Sequence, residues 1–326
     1  MRKFRTRMTE ILGIEYPIMM GTMQRWSTPE LVAAVANAGA FACLPSASYV
    51  NGNELREAIK RTSAMTDQPF GVNINLFPML RPVSNEEYVD ITLEEGVRVI
   101  ETSGRSPEPF VDRIRKGGAI HMHKAARVRD ARTAERLGVS IVEIVGFECA
   151  GHPSREQIGS LVLIPQAVDA VKIPVVAGGG IADGRGLVAA LALGAEGVCL
   201  GTRFLASREC EIHPSVKERL ADAQSTDTAL VLGSLADPMR ALRTDLVSQV
   251  LKMEEEGASM DEVLLMVAGE KSARAMAAGD IDNALLACGQ VVGMLHDAPT
   301  VKEIIEGIMA KAAAVSGSLN GILGSR

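Results

Sequence analysis

The sequence predicts an α/β chain: a (β/α)8 TIM barrel with a smaller helical domain inserted after the eighth strand. Three observations carry this. Eight short apolar runs, each followed by a helix or a helix-capable segment, occupy about the first 200 residues, the signature of βαβ units and parallel pairing. The sixth to eighth runs are continuous apolar stretches, as parallel strands covered on both faces should be. The Gly-rich turn follows the seventh run. An open doubly wound sheet would carry it after the first, so a closed barrel is the better reading.

The runs follow one another in order. Tyr16–Met20 is followed by a helix over Pro29–Ala38 that stops at Gly39, a good residue just past a helix end. Ala40–Leu44 is followed by a helix from Asn53 to Met65, and then comes Phe70–Ile74. Val97–Thr102 precedes a helix over Glu108–Lys116, and Ala119–His123 one over Val128–Leu137. Ile141–Val145 leads through a loop to a helix around Leu161–Val171. Ile173–Ala177 leads to Arg185–Leu193, and the eighth run is Gly197–Gly201.

After Arg208 the pattern changes. No convincing strand is read from Pro214 to Gly317. Helices are expected over Val216–Ala223, Arg240–Glu256, Met260–Ala268, Ser272–Ala278, Ala284–Met294 and Thr300–Val315. The expected organisation is a barrel over 1–213, a helical lid or substrate domain over 214–298, and a C-terminal helix over 299–326 that returns to the barrel as its eighth covering helix.

Composition narrows the partners. With 47% hydrophobic and 23% charged residues, the 326-residue chain is globular. Aromatics at 3% and a net charge of −6 disfavour nucleic acid. No run reaches the roughly 18 apolar residues that span a bilayer. The basic N-terminus lacks the apolar stretch of a signal peptide. Five widely spaced cysteines read as reduced core residues of a cytoplasmic protein, not as a disulfide or zinc framework.

The Gly-rich loop, Ala177 to Gly186, lies between the seventh strand and its helix. Consecutive Gly178, Gly179 and Gly180 let backbone N–H groups converge, and the helix behind them adds its positive end. Gly201 and Thr202, after the eighth strand, offer a second cluster. In a barrel these two loops are where a phosphate commonly sits. Walker A and G-x-G-x-x-G patterns both fail here. The rival reading is a tight turn with no ligand.

His121 and His123 share one strand face and can be read as metal ligands, but no third ligand cluster supports a metal. Lys124, at the end of the fifth strand, is the better candidate: a cation that neutralises an electron-rich ring, or else a surface ion pair. His152 stands just past the sixth strand in "FECAGHP". Ala150 and Gly151 give a planar ligand clearance there, and the imidazole can move a proton near neutral pH. The bland alternative is a loop histidine. Gly21, Thr22, Met23 and Gln24 follow the first strand at the same rim, with Trp26 beside them. Asn73 and Asn75 share a face after the third strand and can hydrogen-bond a heterocycle edge.

These residues carry a resemblance that covers nearly the whole chain. "YPIMMGTMQ", "AAVANAGA", "PFGVNINLFP", "HKAARVRDARTAERLGV", "GFECAGHPS", "VVAGGGIADGRGLVAALALGAEGVCLGTRFLASREC" and "IHPSVK" resemble the FMN-dependent nitronate monooxygenases. Within that superfamily the chain looks closest to the bacterial NADH:quinone reductases, and it is also similar to FMN-containing enoyl-acyl-carrier-protein reductases. The resemblance implies FMN at the barrel mouth under a helical domain. It assigns the phosphate to Gly179, Gly180, Gly201 and Thr202, with Gly178 where near relatives often have Ser. Thr22 replaces a Gly and is expected to narrow the space beside the ring. Asn75 is expected at the pyrimidine edge, Lys124 near N1 and O2, Ala150 and Gly151 against the ring, and catalytic His152 beside the substrate. The implied cycle is ping-pong, with NADH as reductant and a quinone as acceptor; the alternatives are oxidation of alkyl nitronates with oxygen and enoyl reduction. Non-flavin barrels and a flavin-storage protein are the rivals of another class. The expected partners are small molecules, with a homodimer as the assembly left open.

Overall fold

The eight strands follow one another in the order read from the sequence, with two further helices, Arg7–Leu12 and Asn85–Glu94, that are not singled out there. In the computed structural model, which describes residues 4–77, 84–233, 238–267 and 269–324, the barrel is built from α1 (Arg7–Leu12), β1 (Ile18–Met20), α2 (Pro29–Asn37), β2 (Cys43–Pro45), α3 (Gly52–Met65), β3 (Gly71–Asn75), α4 (Asn85–Glu94), β4 (Val99–Ser103), α5 (Glu108–Lys116), β5 (Ile120–Ala125), α6 (Val128–Leu137), β6 (Ile141–Val145), α7 (Ser160–Ala170), β7 (Val175–Gly178), α8 (Gly184–Ala192) and β8 (Gly197–Leu200). Side chains of Thr28, Asn51, Ser84 and Asp183 accept amide hydrogen bonds in the first turns of α2, α3, α4 and α8, which fixes where each helix starts.

All eight strands are parallel, in the order β1-β8-β7-β6-β5-β4-β3-β2. A single parallel bridge, Met19 to Phe41, joins β1 to β2 and closes the barrel. The fold is the expected (β/α)8 barrel. The strand period of two sorts its residues. Ile18, Met20, Val72, Ile74, Ile100, Val142, Ile144, Val198 and Leu200 face outward into the helix layer. Met19, Phe41, Cys43, Val99, Met122, Ile141, Val176 and Cys199 face inward, where Met8 and Leu12 of α1 close the lower end. Above that apolar layer the interior turns polar, with Asn73, Glu101 and Glu143 all buried.

The rest of the chain comprises α9 (Thr202–Leu205), α10 (Pro214–Asp222), β9 (Thr228–Val231), β10 (Met239–Leu242), α11 (Asp245–Glu255), α12 (Met260–Met266), α13 (Gly269–Ala277) and α14 (Val301–Leu323). Two expectations are corrected here. The segment after Arg208 is not wholly helical, since β9 and β10 form an antiparallel hairpin with Val231 opposite Met239. Arg240 therefore lies on a strand and the following helix begins only at Asp245, behind the Thr244 cap. The expected helix over Ala284–Met294 is instead extended chain ending in a 3-10 turn at Gln290–Met294. Tertiary pairing decides the form of both stretches: Arg240 bridges to Gly151 and Ala241 to Ala287. Ala268, the expected end of another helix, lies outside the described residues. The last helix, α14, packs against α8 and α2 on the outside of the barrel. Among the described residues no helix is long and apolar enough to cross a membrane.

Candidate functional site

The loops that follow the strands enclose a cavity of 1360 Å3 at the carboxyl end of the barrel. A small-molecule pocket typically measures about 300–1,000 Å3, so a cofactor and a substrate fit here together. Gly21 to Trp26, Asn75, Lys124, the Glu148–Glu156 loop, Gly178 to Ile181 and Gly201 to Thr202 all line it, together with Met239 and Leu286 from the inserted segment. The residues expected to hold the cofactor and substrate line this one cavity; of the two candidate metal ligands, His123 does and His121 does not.

The β7 and β8 loops form a cradle of main-chain donors. Gly179 and Gly180 have φ of 84° and 71°, the left-handed region that glycine occupies without strain. A Cβ on Gly179 would also stand 2.8 Å from the Gly146 carbonyl oxygen. Among the described residues, the amides of Gly179, Gly180 and Gly201 donate to no other protein group. A Cβ on Gly201 would meet nothing within 4 Å, so the space above it is open. Thr202 Oγ1 accepts from the Gly289 amide at 3.0 Å, which leaves the hydroxyl proton to donate. Three unpaired amides on two adjacent loops, with open space at Gly201, are what a phosphate needs, and the residues present fit one. One expected contributor is corrected: the N-terminus of α8 is already capped by Asp183, whose carboxylate accepts from the Arg185 and Gly186 amides.

The floor of the cavity is charged. Lys124 Nζ lies 3.4 Å from Glu143 Oε2 and 3.8 Å from Glu101 Oε1. Thr22 Oγ1 donates to Glu101 Oε2 at 2.9 Å, and Asn73 Nδ2 donates to the same oxygen. Burial alone would lower the Lys124 pKa, but Glu101 and Glu143 outweigh it and hold the ammonium above the ordinary lysine value. Burial pushes the Glu143 carboxyl up to about 7 against the pull of Lys124. Lys124 is therefore a permanent cation facing the cavity, not a surface ion pair. Thr22 points down to Glu101 instead of narrowing the space above it. Gly178 is explained by the same cluster: a Cβ there would stand 3.2 Å from Glu143 Oε1.

The opposite wall is the loop after β6. Gly151 pairs with Arg240 as an isolated antiparallel bridge to the inserted hairpin. The Arg240 guanidinium donates to the Phe147 carbonyl oxygen at 3.1 Å and lies 4.8 Å from the centre of the Phe147 ring. The Glu148 carboxylate caps α7, accepting from Ser160 N and Oγ at 3.0 Å, and the Glu148 carbonyl accepts from the Gln290 amide at 3.0 Å. His152 is exposed at the rim, with its ring 5.3 Å from that of Phe77. Asn75 Oδ1 accepts from the Phe77 amide at 3.0 Å, and Gln24 Nε2 donates to the Ala47 carbonyl at 3.2 Å.

His121 and His123 hold no metal geometry. Thr102 Oγ1 lies 2.8 Å from His121 Nε2 and 2.9 Å from His123 Nδ1, and burial lowers both imidazoles to about 4. Among the described residues no group of three His, Cys, Asp or Glu side chains is arranged to hold a metal ion. Glu101, Glu143, Glu148 and Arg240 are the site residues that sequence reasoning missed. An acidic residue inside an otherwise apolar strand was the available signal for Glu101 and Glu143. Arg240 gave none.

The nitronate monooxygenase family profile matches residues 5–311. The chain belongs to the nitronate monooxygenase family. It is 32% identical to a (3aS,4S,5R,7aS)-5-hydroxy-7a-methyl-1-oxo-octahydro-1H-indene-4-carboxyl-CoA dehydrogenase of Rhodococcus jostii, a match that covers 96% of this chain and 97% of the relative. FabK from Thermotoga maritima superposes with a TM-score of 0.91 at 36% identity, covering 98% of this chain and 99% of that one. The nitroalkane oxidase of Streptomyces ansochromogenes superposes with a TM-score of 0.81 at 27% identity, covering 96% and 99%. Members of the nitronate monooxygenase family are oxidoreductases, and so is this chain.

Proposed function

We propose that the chain is an FMN-dependent oxidoreductase in which NADH is the reductant and a quinone-type molecule the acceptor, taken in turn at one site. The observation that carries this reading is the set of unpaired amides at Gly179, Gly180 and Gly201 opposite the Lys124 cation. Bound there, FMN supplies the two-electron sink that amino-acid side chains lack. Gly179, Gly180, Gly201 and Thr202 hold the phosphate. Ala150 and Gly151 give a flat ring clearance, and a Cβ on Gly151 would indeed meet nothing within 4 Å. Lys124 offsets negative charge on the ring side that faces it, and Asn75 meets the polar edge. His152 holds or moves a proton at the reacting substrate. The 214–298 segment closes the mouth and shapes the substrate side.

A second reading has its own support. The Rhodococcus jostii relative, covered over 97% of its length, is by name a carboxyl-CoA dehydrogenase, and Arg105 and Arg129 stand at the cavity mouth, where guanidinium groups suit phosphate. A CoA thioester, oxidised at the flavin, then replaces NADH as the electron donor. A third follows from the family itself, with an alkyl nitronate as the electron donor. Anaerobic mixing of the FMN-loaded protein with NADH, NADPH or propyl nitronate separates them. Bleaching by NADH alone supports the first reading, and CoA that slows bleaching by competing with the donor supports the second. Bleaching by nitronate but not by NADH overturns the first.

A further inference from the structure

The floor cluster places two carboxyls and one ammonium at one spot inside the barrel. Glu101 and Glu143 keep 0% and 2% of their side-chain surface, while Lys124 keeps 24%, facing the cavity. With all three ionised, the cluster carries a net negative charge that nothing nearby balances. The titratable groups around it are Cys43 on β2, His123 on β5, Cys199 on β8 and Cys149 beyond β6. Burial raises the three thiols and lowers the imidazole, so all four are neutral near pH 7. Thr22, Asn73 and Gly178 contribute no charge. Glu101 Oε1 and Glu143 Oε2 both face the one Lys124 Nζ, at 3.8 and 3.4 Å, and neither accepts a hydrogen bond. Buried polar atoms are otherwise almost always paired. A single proton between the carboxyls removes the net charge and gives both side chains a partner.

We propose that Glu101 and Glu143 share one proton beneath the cavity, and that this carboxyl pair takes up a proton from solvent when a negative charge is placed beside Lys124. The hydrogen bonds say where the proton sits. Glu101 accepts from two good donors, Thr22 and Asn73, whereas no such donor reaches Glu143 Oε2, which faces only the Lys124 ammonium at 3.4 Å. Glu143 therefore carries the proton and offers it to Glu101. An anion arriving next to Lys124 draws on the same cation that holds the carboxyls, so the pair binds protons more tightly. The proton comes from water through the cavity, and the solution gains one base equivalent for each proton taken up. Glu101 and Glu143 are thus positioning residues, acting on the cavity through the Lys124 charge. The link to flavin chemistry rests on the proposed function; the shared proton itself does not.

Infrared difference spectroscopy of the full chain, as purified and again after FMN is added, tests this. The expected result is a protonated-carboxyl band that shifts in D2O and titrates away with a midpoint near neutral pH. Glu143→Gln and Glu101→Gln each remove it, and Lys124→Met moves its midpoint up by about one unit or more, because a cation that favours the ionised form is gone. If a variant fails to fold, the D2O-sensitive band of the unchanged protein still decides. Absence of a titrating carboxyl band in that protein overturns the proposal, and so does a band that survives unchanged in folded Glu143→Gln. Failure to bind FMN with the band present counts against the cofactor reading alone.

Discussion

Arg240 of the inserted hairpin and Gly151 of the β6 loop exchange two backbone hydrogen bonds: the Arg240 amide donates to the Gly151 carbonyl at 2.6 Å, and the Gly151 amide donates back at 3.2 Å. The residue before His152 is thereby held by a segment that follows it by nearly ninety positions. The Arg240 side chain braces the same loop from beneath, through the Phe147 carbonyl. Arg240→Ala removes that donor and leaves a half-buried carbonyl unpaired. Equilibrium urea unfolding should show a loss of about 1–3 kcal/mol, with turnover reduced at unchanged FMN content.

Gly201 faces open space, so a methyl group there strains nothing in the protein and fills the place of the phosphate. Gly201→Ala should weaken FMN binding at least tenfold, about 1.4 kcal/mol. The unfolding midpoint of the flavin-free protein should stay within about 0.5 kcal/mol of the parent. Fluorescence titration with FMN checks the first expectation and urea unfolding the second. Equal affinity in the variant moves the phosphate elsewhere.

His152 stands exposed at the rim, with its ring 5.3 Å from that of Phe77, so its removal should separate binding from chemistry. His152→Ala should retain FMN and lose about 10²–10⁴ in turnover. Unchanged turnover makes it a loop residue.

Acid should destabilise the fold through His121 and His123. Both are held near 4, below the ordinary 6.5, so the unfolded chain binds more protons and stability falls as the pH drops from about 6.5 to 4. Glu143 has the opposite sign. Raised from 4.5 to about 7, its carboxyl holds a proton in the folded state, and that contribution is lost as the pH rises between those values. Two imidazoles outweigh one carboxyl, so the net change on acidification is a loss of a few kcal/mol. His123→Gln should flatten the curve below pH 6, as read by urea unfolding at a series of pH values.

The barrel was legible because its signal is local. Short apolar runs, the Gly39 that ends the first covering helix, and the glycines after β7 each report on their own few residues. Helices over Glu108–Lys116 and Val128–Leu137 fall where their periodicity places them. The β9–β10 hairpin was not legible, because its strands are four residues each and are fixed by pairing with one another and with Gly151 and Ala287. The site divided the same way. Gly179, Gly201 and His152 announce themselves by residue type at a strand end. Glu101 and Glu143 gain meaning only when the barrel closes and brings β4, β5 and β6 around Lys124.

Everything proposed for this site depends on a phosphate held by the main chain of two adjacent loops. A crystal structure determined with excess FMN decides whether it is held there. The phosphate is expected within hydrogen-bonding distance of the Gly179, Gly180 and Gly201 amides and the Thr202 hydroxyl, with the ring over Lys124. FMN bound elsewhere, or those amides left without a ligand at saturating FMN, would contradict it.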